Sequence, residues 1–152
     1  MEEFLKPFYQ AADNVFETMF QTNIKAGLFQ AHENYINTHE ANINIGVTGD
    51  LTGSVIYSFS KEFALTIATM MAGMEFEELN EFVGSTVGEL ANIISGNAMT
   101  MLAEYNYLCD IVPPEVFLGL NKSIVITNSS IITIPIKTNL GDFDINVSVK
   151  TR

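Results

Sequence analysis

Glu89 and Asn92 are the two side chains whose types and spacing best suit work on another molecule. A carboxylate attracts a cation, and a primary amide both donates and accepts hydrogen bonds without becoming charged. They lie in STVGELANIISGNA (residues 85–98), a stretch with helical periodicity that also carries Gly88 and Gly96, with Gly84 just before it. Each glycine costs a helix interior roughly 1 kcal/mol relative to alanine. With Ser85 set at zero and about 100° per residue, Glu89 falls near +40°, Asn92 near −20° and Gly96 near +20°. Val83, Val87, Leu90, Ala91, Ile94, Ala98 and Met101 gather between roughly 140° and 240°, on the opposite side. An ordinary solvated face would carry alanine, lysine or glutamate as neighbours, whereas here they are Gly88, Ser95 and Gly96. Two causes fit: another molecule approaches closely, or the glycines pack against the protein's own sheet.

Other constellations fail on their chemistry. Asp142, Asp144 and Asn146 form D-x-D-x-N, but a calcium loop needs a glycine at its sixth position and a twelfth position that would fall past Arg152. An aspartyl nucleophile there would lack downstream chain to supply its partners, so alternating polar residues on a half-exposed strand are the better reading. Cys109 is not followed by a glycine-rich, arginine-ended phosphate loop. GVTGDLTGS lacks the lysine of a P-loop and reads as a hairpin turn. His32 and His39, with Glu33 and Glu40 nearby, lack the spacing of a metal site, and no G-x-S-x-G elbow marks a serine nucleophile.

The elements that would hold the Glu89–Asn92 pair follow from pattern. Apolar residues at 5, 8, 12, 15, 16, 19 and 20 predict a helix from Phe4 to about Thr22, with Pro7 tolerable only in its first turn. Residues 23–39 show no period and read as loop or frayed helix. EANINIGVT and GSVIYSFS alternate as two strands of a hairpin around TGDLTG. A short helix at Lys61–Met71 ends at Gly73. The acidic run Glu75, Glu77, Glu78 and Glu81 leads into the long helix, which ends near Tyr105. Pro113-Pro114 marks a loop. KSIVIT, IITIPIKT and FDINVSV read as three strands broken by NSS and NLGD, with Pro135 implying an edge or a bulge. The class is α+β, a mainly antiparallel sheet flanked by long helices, in one domain spanning 1–152.

Composition narrows the function classes. The chain carries a net charge of −11 and seven unclustered basic residues, which excludes the counterion-release chemistry of nucleic-acid binding and argues against anionic membranes. Cys109 is the only cysteine, as suits a reducing compartment. The charged, amphipathic MEEFLKPFYQ does not read as a secretory leader, and Phe63 to Met74 is too short to span a bilayer. The expectation is a cytoplasmic protein.

Ser85-x-x-x-Glu89-x-x-Asn92 followed by Gly96 resembles the signature of the CheC/CheX/FliY phosphatases of bacterial chemotaxis. GSVIYSFSKEFAL, MMAGMEFEELNEF, DFDINVSVK and the Pro113-Pro114 loop resemble its CheX branch, so the likeness covers most of residues 40–150. CheC proteins carry the motif twice, and here Asp13-x-x-x-Glu17-x-x-Phe20 repeats the spacing with phenylalanine in the asparagine's place. The resemblance implies a protein phosphatase that removes the phosphoryl group from the aspartate of a CheY-like receiver. Asn92 would orient the attacking water and Glu89 would pair with the receiver's active-site lysine, with Ser85, Gly88 and Gly96 on the partner-binding surface. It implies no metal or cofactor of its own, Mg2+ being carried by the receiver, and a homodimer joined through sheet edges, for which the closing strands are candidates. The alternative within the resemblance is a non-catalytic module of the same fold that binds a receiver or a flagellar switch.

Overall fold

A computed structural model describes residues 2–119 and 123–152. The first helix, α1 (Glu2–Phe20), buries Leu5, Phe8, Ala12, Val15, Phe16 and Phe20, the stripe that its spacing predicts. Pro7 sits in the second turn rather than the first. The donor it lacks would have served the carbonyl of Glu3, an exposed residue whose carbonyl water can reach. Residues 23–39 are neither loop nor helix: they form β1 (Ile24–Ala26) and β2 (Gln30–Asn37). Only Ile36 of β2 is buried, so the strand carries no alternation, and it exists because a later strand pairs with it.

The hairpin is β3 (Ala41–Gly49) and β4 (Leu51–Phe59), in register from Ala41↔Phe59 to Val47↔Gly53. Its turn is narrower than TGDLTG, because the strands run on to Gly49 and resume at Leu51. In α2 (Lys61–Ala72), Ser60 caps the start by accepting from the Phe63 amide, and Gly73 closes the end at φ 74°. Asn80 likewise caps α3 (Glu81–Glu104) through the Val83 amide.

Two short strands follow that the sequence reading did not foresee, β5 (Cys109–Ile111) and β6 (Glu115–Leu118). Both pair antiparallel with β3, so Pro113-Pro114 interrupts what is otherwise a single edge strand. NSS does not break the chain's last third, since β7 runs from Ser123 to Thr138 before β8 (Asp142–Thr151). Lys122, the first residue of the expected KSIVIT strand, lies outside the described residues. The sheet order is β1-β7-β8-β4-β3-β5, with β2 also on β7 and β6 also on β3.

Pro135 is therefore on an interior strand, paired with Asp144 of β8 on one side. On the other side its carbonyl accepts from the Gly27 amide at 2.7 Å, in the gap between β1 and β2. A residue's amide and carbonyl point the same way in an antiparallel ladder, so the donor that Pro135 lacks faces that gap and interrupts no pairing.

The helices cover one face of the sheet. There Phe143 stacks with Phe59 and Phe16, at ring distances of 5.0 and 5.4 Å, tying β8, β4 and α1 together. Beneath α3 the buried Tyr57 hydroxyl meets the Ser95 hydroxyl at 2.7 Å, and burial pushes the phenol well above its usual pKa. Ile36, Ile56 and Ile131 form a smaller cluster on the other face. The D-x-D-x-N residues also lie there as structural groups: Asn146 donates to the Ile56 carbonyl and accepts from Thr133, while Asp144 stands 3.6 Å from His39. No described helix is long and apolar enough to cross a membrane.

Burial lifts the Asp144 carboxyl above its ordinary 3.8, with His39 opposing. A carboxyl raised in this way stabilises the fold while it is protonated, below the unfolded value, and that contribution is lost as pH rises through the folded value. Asp144→Asn should therefore raise the denaturation midpoint more at about pH 7 than at about pH 3, below the unfolded value, where the carboxyl is protonated in both states. Equal shifts in urea titrations at both pH values would refute this.

Candidate functional site

The Glu89–Asn92 pair lies on α3, whose rotation on the sheet is set by what its glycines allow. A Cβ on Gly84 would meet Val116 Cγ1 at 2.9 Å and Leu118 Cδ1 at 3.0 Å, and one on Gly88 would meet Val116 Cγ2 at 3.3 Å. Both glycines are buried, so the helix backbone presses against the side chains of β6. Of the two causes open for the glycines, packing on the protein's own sheet accounts for Gly84 and Gly88. Gly88 is thus not on the partner-facing surface where the sequence reading put it: at about −60° on the wheel it borders the stripe and turns toward β6. Ser95 is fully buried on Tyr57 and clears no space either.

Gly96 behaves differently. Nothing lies within 4 Å of where its Cβ would be. It opens onto a groove of about 320 Å³ shared with Met99, Thr100 and residues 109–111 of β5, including the half-buried Cys109. Ser85 and Glu89 are exposed and Asn92 is half-buried, so the structure brings Ser85, Glu89, Asn92 and Gly96 into one outward stripe.

The hydrogen bonds on this face separate its polar groups into two kinds. Thr86, Asn97 and Thr100 bond to carbonyls of their own helix, at Phe82, Ile93 and Gly96. Ser85, Glu89 and Asn92 take no side-chain partner among the described residues. A carboxylate and an amide are thus held 3 residues apart on a rigid 24-residue helix with their bonding capacity unspent. Such a surface can grip a cation and orient a polar reactant, but among the described residues no base is hydrogen-bonded to Ser85 to activate it as a nucleophile.

The second spacing match does not build a second such surface. Glu17 is exposed, but Phe20 is 7% exposed and packs edge-on against Phe16 at 5.1 Å. His32 lies in β2, and His39 between β2 and β3, away from α3. Among the described residues no three His, Cys, Asp or Glu side chains are grouped so as to hold a metal ion.

Sequence reasoning missed one part of the site. The end of α2 stands beside the stripe, and Met71, Ala72, Phe82, Ser85, Thr86 and Glu89 line a shallow cleft of about 290 Å³. Phe82 falls near +60° on the same wheel, so following the stripe one turn upstream would have found it. The contribution of α2 has no signal in the sequence of α3.

Comparison with known proteins places the fold and the family. The family profile described as chemotaxis phosphatase CheX matches residues 42–137. The chain is 40% identical over 109 residues, 70% of each protein, to the CheY-P phosphatase CheX of Thermotoga maritima. It is similar to the crystal structure of chemotaxis protein CheX from Desulfovibrio desulfuricans, with 30% identity, 99% of each chain covered and a TM-score of 0.85. It is also similar to the CheX chain in the CheX–CheY–BeF3–Mg2+ complex from Borrelia burgdorferi, with 25% identity, 97% of each chain covered and a TM-score of 0.82.

Glycine substitutions separate packing from clearance. Gly96→Ala should stabilise the protein by about 0.5–1 kcal/mol, because it improves helix propensity in open space. Gly84→Ala should destabilise it by about 1–3 kcal/mol through overpacking against Val116 and Leu118. Urea titration of both variants tests this, and shifts of the same sign would contradict it.

Proposed function

The chain belongs to the CheX family of chemotaxis phosphatases, and from that premise we propose that Asn92 and Glu89 carry out its chemistry on a CheY-like receiver. It is a phosphatase acting on CheY-P. The observation that carries the residue assignment is the pair of unspent polar side chains, Glu89 and Asn92, on the outward stripe of α3.

The reaction is hydrolysis of an acyl phosphate. Water attacks phosphorus in line, the bond from phosphorus to the aspartate oxygen breaks, and the aspartate leaves as a carboxylate. The phosphoryl group and its Mg2+ ion both arrive with the receiver, so what this chain adds is position. Asn92 reaches in beside the phosphoryl group, and its amide holds the attacking water through hydrogen bonds that need no change of charge. Glu89, a turn away, pairs with the receiver's lysine and fixes the register in which Asn92 enters. Ser85 and Gly96 keep the flanking surface low enough for the receiver to seat. The protein acts in the cytoplasm, and a second copy pairs along an open sheet edge. Of the closing strands, β8 lies between β4 and β7, and β7 is covered on its other side by β1 and β2, so the edge formed by β6, with Phe117 exposed, suits this better.

Asn92→Ala should lower stimulated phosphate release by about 100-fold or more while leaving the urea midpoint within about 0.5 kcal/mol of wild type, as befits a group that only positions water. Glu89→Ala should both weaken receiver binding and slow turnover. Wild-type rates for Asn92→Ala would refute the assignment. Stoichiometric slowing of phosphoryl loss by the wild-type protein would mark a binding module instead. Light scattering at several concentrations should give twice the 16.8 kDa chain mass, and a monomer throughout would refute the dimer.

A further inference from the structure

The cleft between the end of α2 and the start of α3 has no place in the chemistry assigned to Glu89 and Asn92, yet it opens directly onto the carboxylate. Its walls are Met71, Ala72 and Phe82, and its polar rim is Ser85, Thr86 and Glu89. The Thr86 hydroxyl is already engaged with the Phe82 carbonyl. Glu89 is therefore the only charged group lining an otherwise mostly apolar slot. Phe82 is 53% exposed despite its stacking on Phe76 at a ring distance of 5.2 Å, so an aromatic face is left for a visitor. The neighbouring linker adds Glu75, Glu77 and Glu78, all exposed, so cations are favoured at the mouth.

Apolar walls ending in one carboxylate match one kind of side chain. Lysine carries a four-carbon stem that packs on apolar surface while its ammonium seeks an anion. A purely apolar visitor would bury Glu89 without a partner. A cation lacking a stem would leave Met71 and Phe82 in water. The order along α3 fits as well. At about 1.5 Å per residue, Glu89 lies about 6 Å beyond Ser85, and Asn92 about 4.5 Å beyond Glu89. A stem lying over Phe82 and Ser85 would thus bring its ammonium to Glu89, with the phosphoryl group next in line at Asn92.

We propose that this cleft receives the aliphatic stem of the receiver's active-site lysine, so that Met71, Ala72 and Phe82 are specificity-determining residues for the partner. The proposal rests on the pairing of Glu89 with that lysine. By holding the stem, the cleft selects a lysine that arrives from the α2 side and fixes the angle at which the receiver descends on Asn92. A receiver whose lysine is short or differently placed loses both contacts together.

The test is a binding titration of the full chain with a CheY-like receiver held in its phosphorylated-like state by beryllium trifluoride and Mg2+. Phe82→Ala removes an apolar wall, and Ala72→Phe fills the cleft from an exposed position. Each should weaken binding about three- to tenfold, the range expected for loss of one packed apolar contact. Against a receiver whose lysine is replaced by alanine, the same variants should bind within about 1.5-fold of wild type, because the stem is gone. Equal weakening against both receivers, or no weakening against either, would overturn the proposal. Binding is read without turnover, so the outcome is distinct from that of the catalytic assignment. Asn92→Ala that binds normally but still hydrolyses at wild-type rates would sink that assignment and leave the cleft result standing.

Discussion

The structure depends on how closely α3 can lie against the edge of the sheet. At Gly84 and Gly88 the helix has no side chains, and Val116 and Leu118 of β6 fill the space that a Cβ would take. Ser95, further along the buried side, is held by the Tyr57 hydroxyl of β4. These contacts leave the helix one rotation about its axis. Turning it by a single residue, about 100°, would drive polar groups into the core and lift leucine and isoleucine into water. The outward direction of Glu89 and Asn92 follows from this fit, since among the described residues no hydrogen bond holds either side chain from the front.

A site of this kind positions groups and does not itself react. Its two polar side chains lie on a continuous helix backed by the largest apolar cluster of the molecule, where backbone hydrogen bonds and packing restrict displacement. A loop could carry the same residues, but not to the tolerance that in-line attack requires. On the proposed reading, the small face left by Ser85 and Gly96 serves the same end, because a rigid partner can approach only as far as the highest atom allows. The aromatic stack of Phe16, Phe59 and Phe143 holds α1 against the sheet, and α1 in turn packs on α3.

Much of the fold was legible in the sequence where periodicity was strong. The three helices, the end of α2 at Gly73 and the β3–β4 hairpin all follow from local pattern. Three readings failed for one shared reason. The strands β2 and β6 lack alternation and β5 is only three residues long, because each lies at a sheet margin and is made by its partner's free hydrogen-bonding edge, not by a periodic run of its own side chains. NSS resembled a break by composition, yet β7 continues across it, with its pairing to β2 shifting register there from Glu33↔Ser130 to Tyr35↔Val125. Pro135 implied an edge because one strand cannot reveal that its neighbour is split, leaving a gap opposite the missing donor.

The sequence by itself determined which residues share a helix face, because a helix of fixed pitch turns order into angle. It thereby placed Glu89 and Asn92 together and set them opposite the apolar side. Only the tertiary structure decided what each glycine does, since that depends on atoms distant in the chain. Gly88 meets Val116, 28 positions later, whereas Gly96 meets nothing within 4 Å. The same holds for the cleft beside Glu89, whose far wall, Met71 and Ala72, belongs to another helix. Periodicity along one element is local physics and can be read from order alone; the space above that element is set by whatever the rest of the chain folds against it.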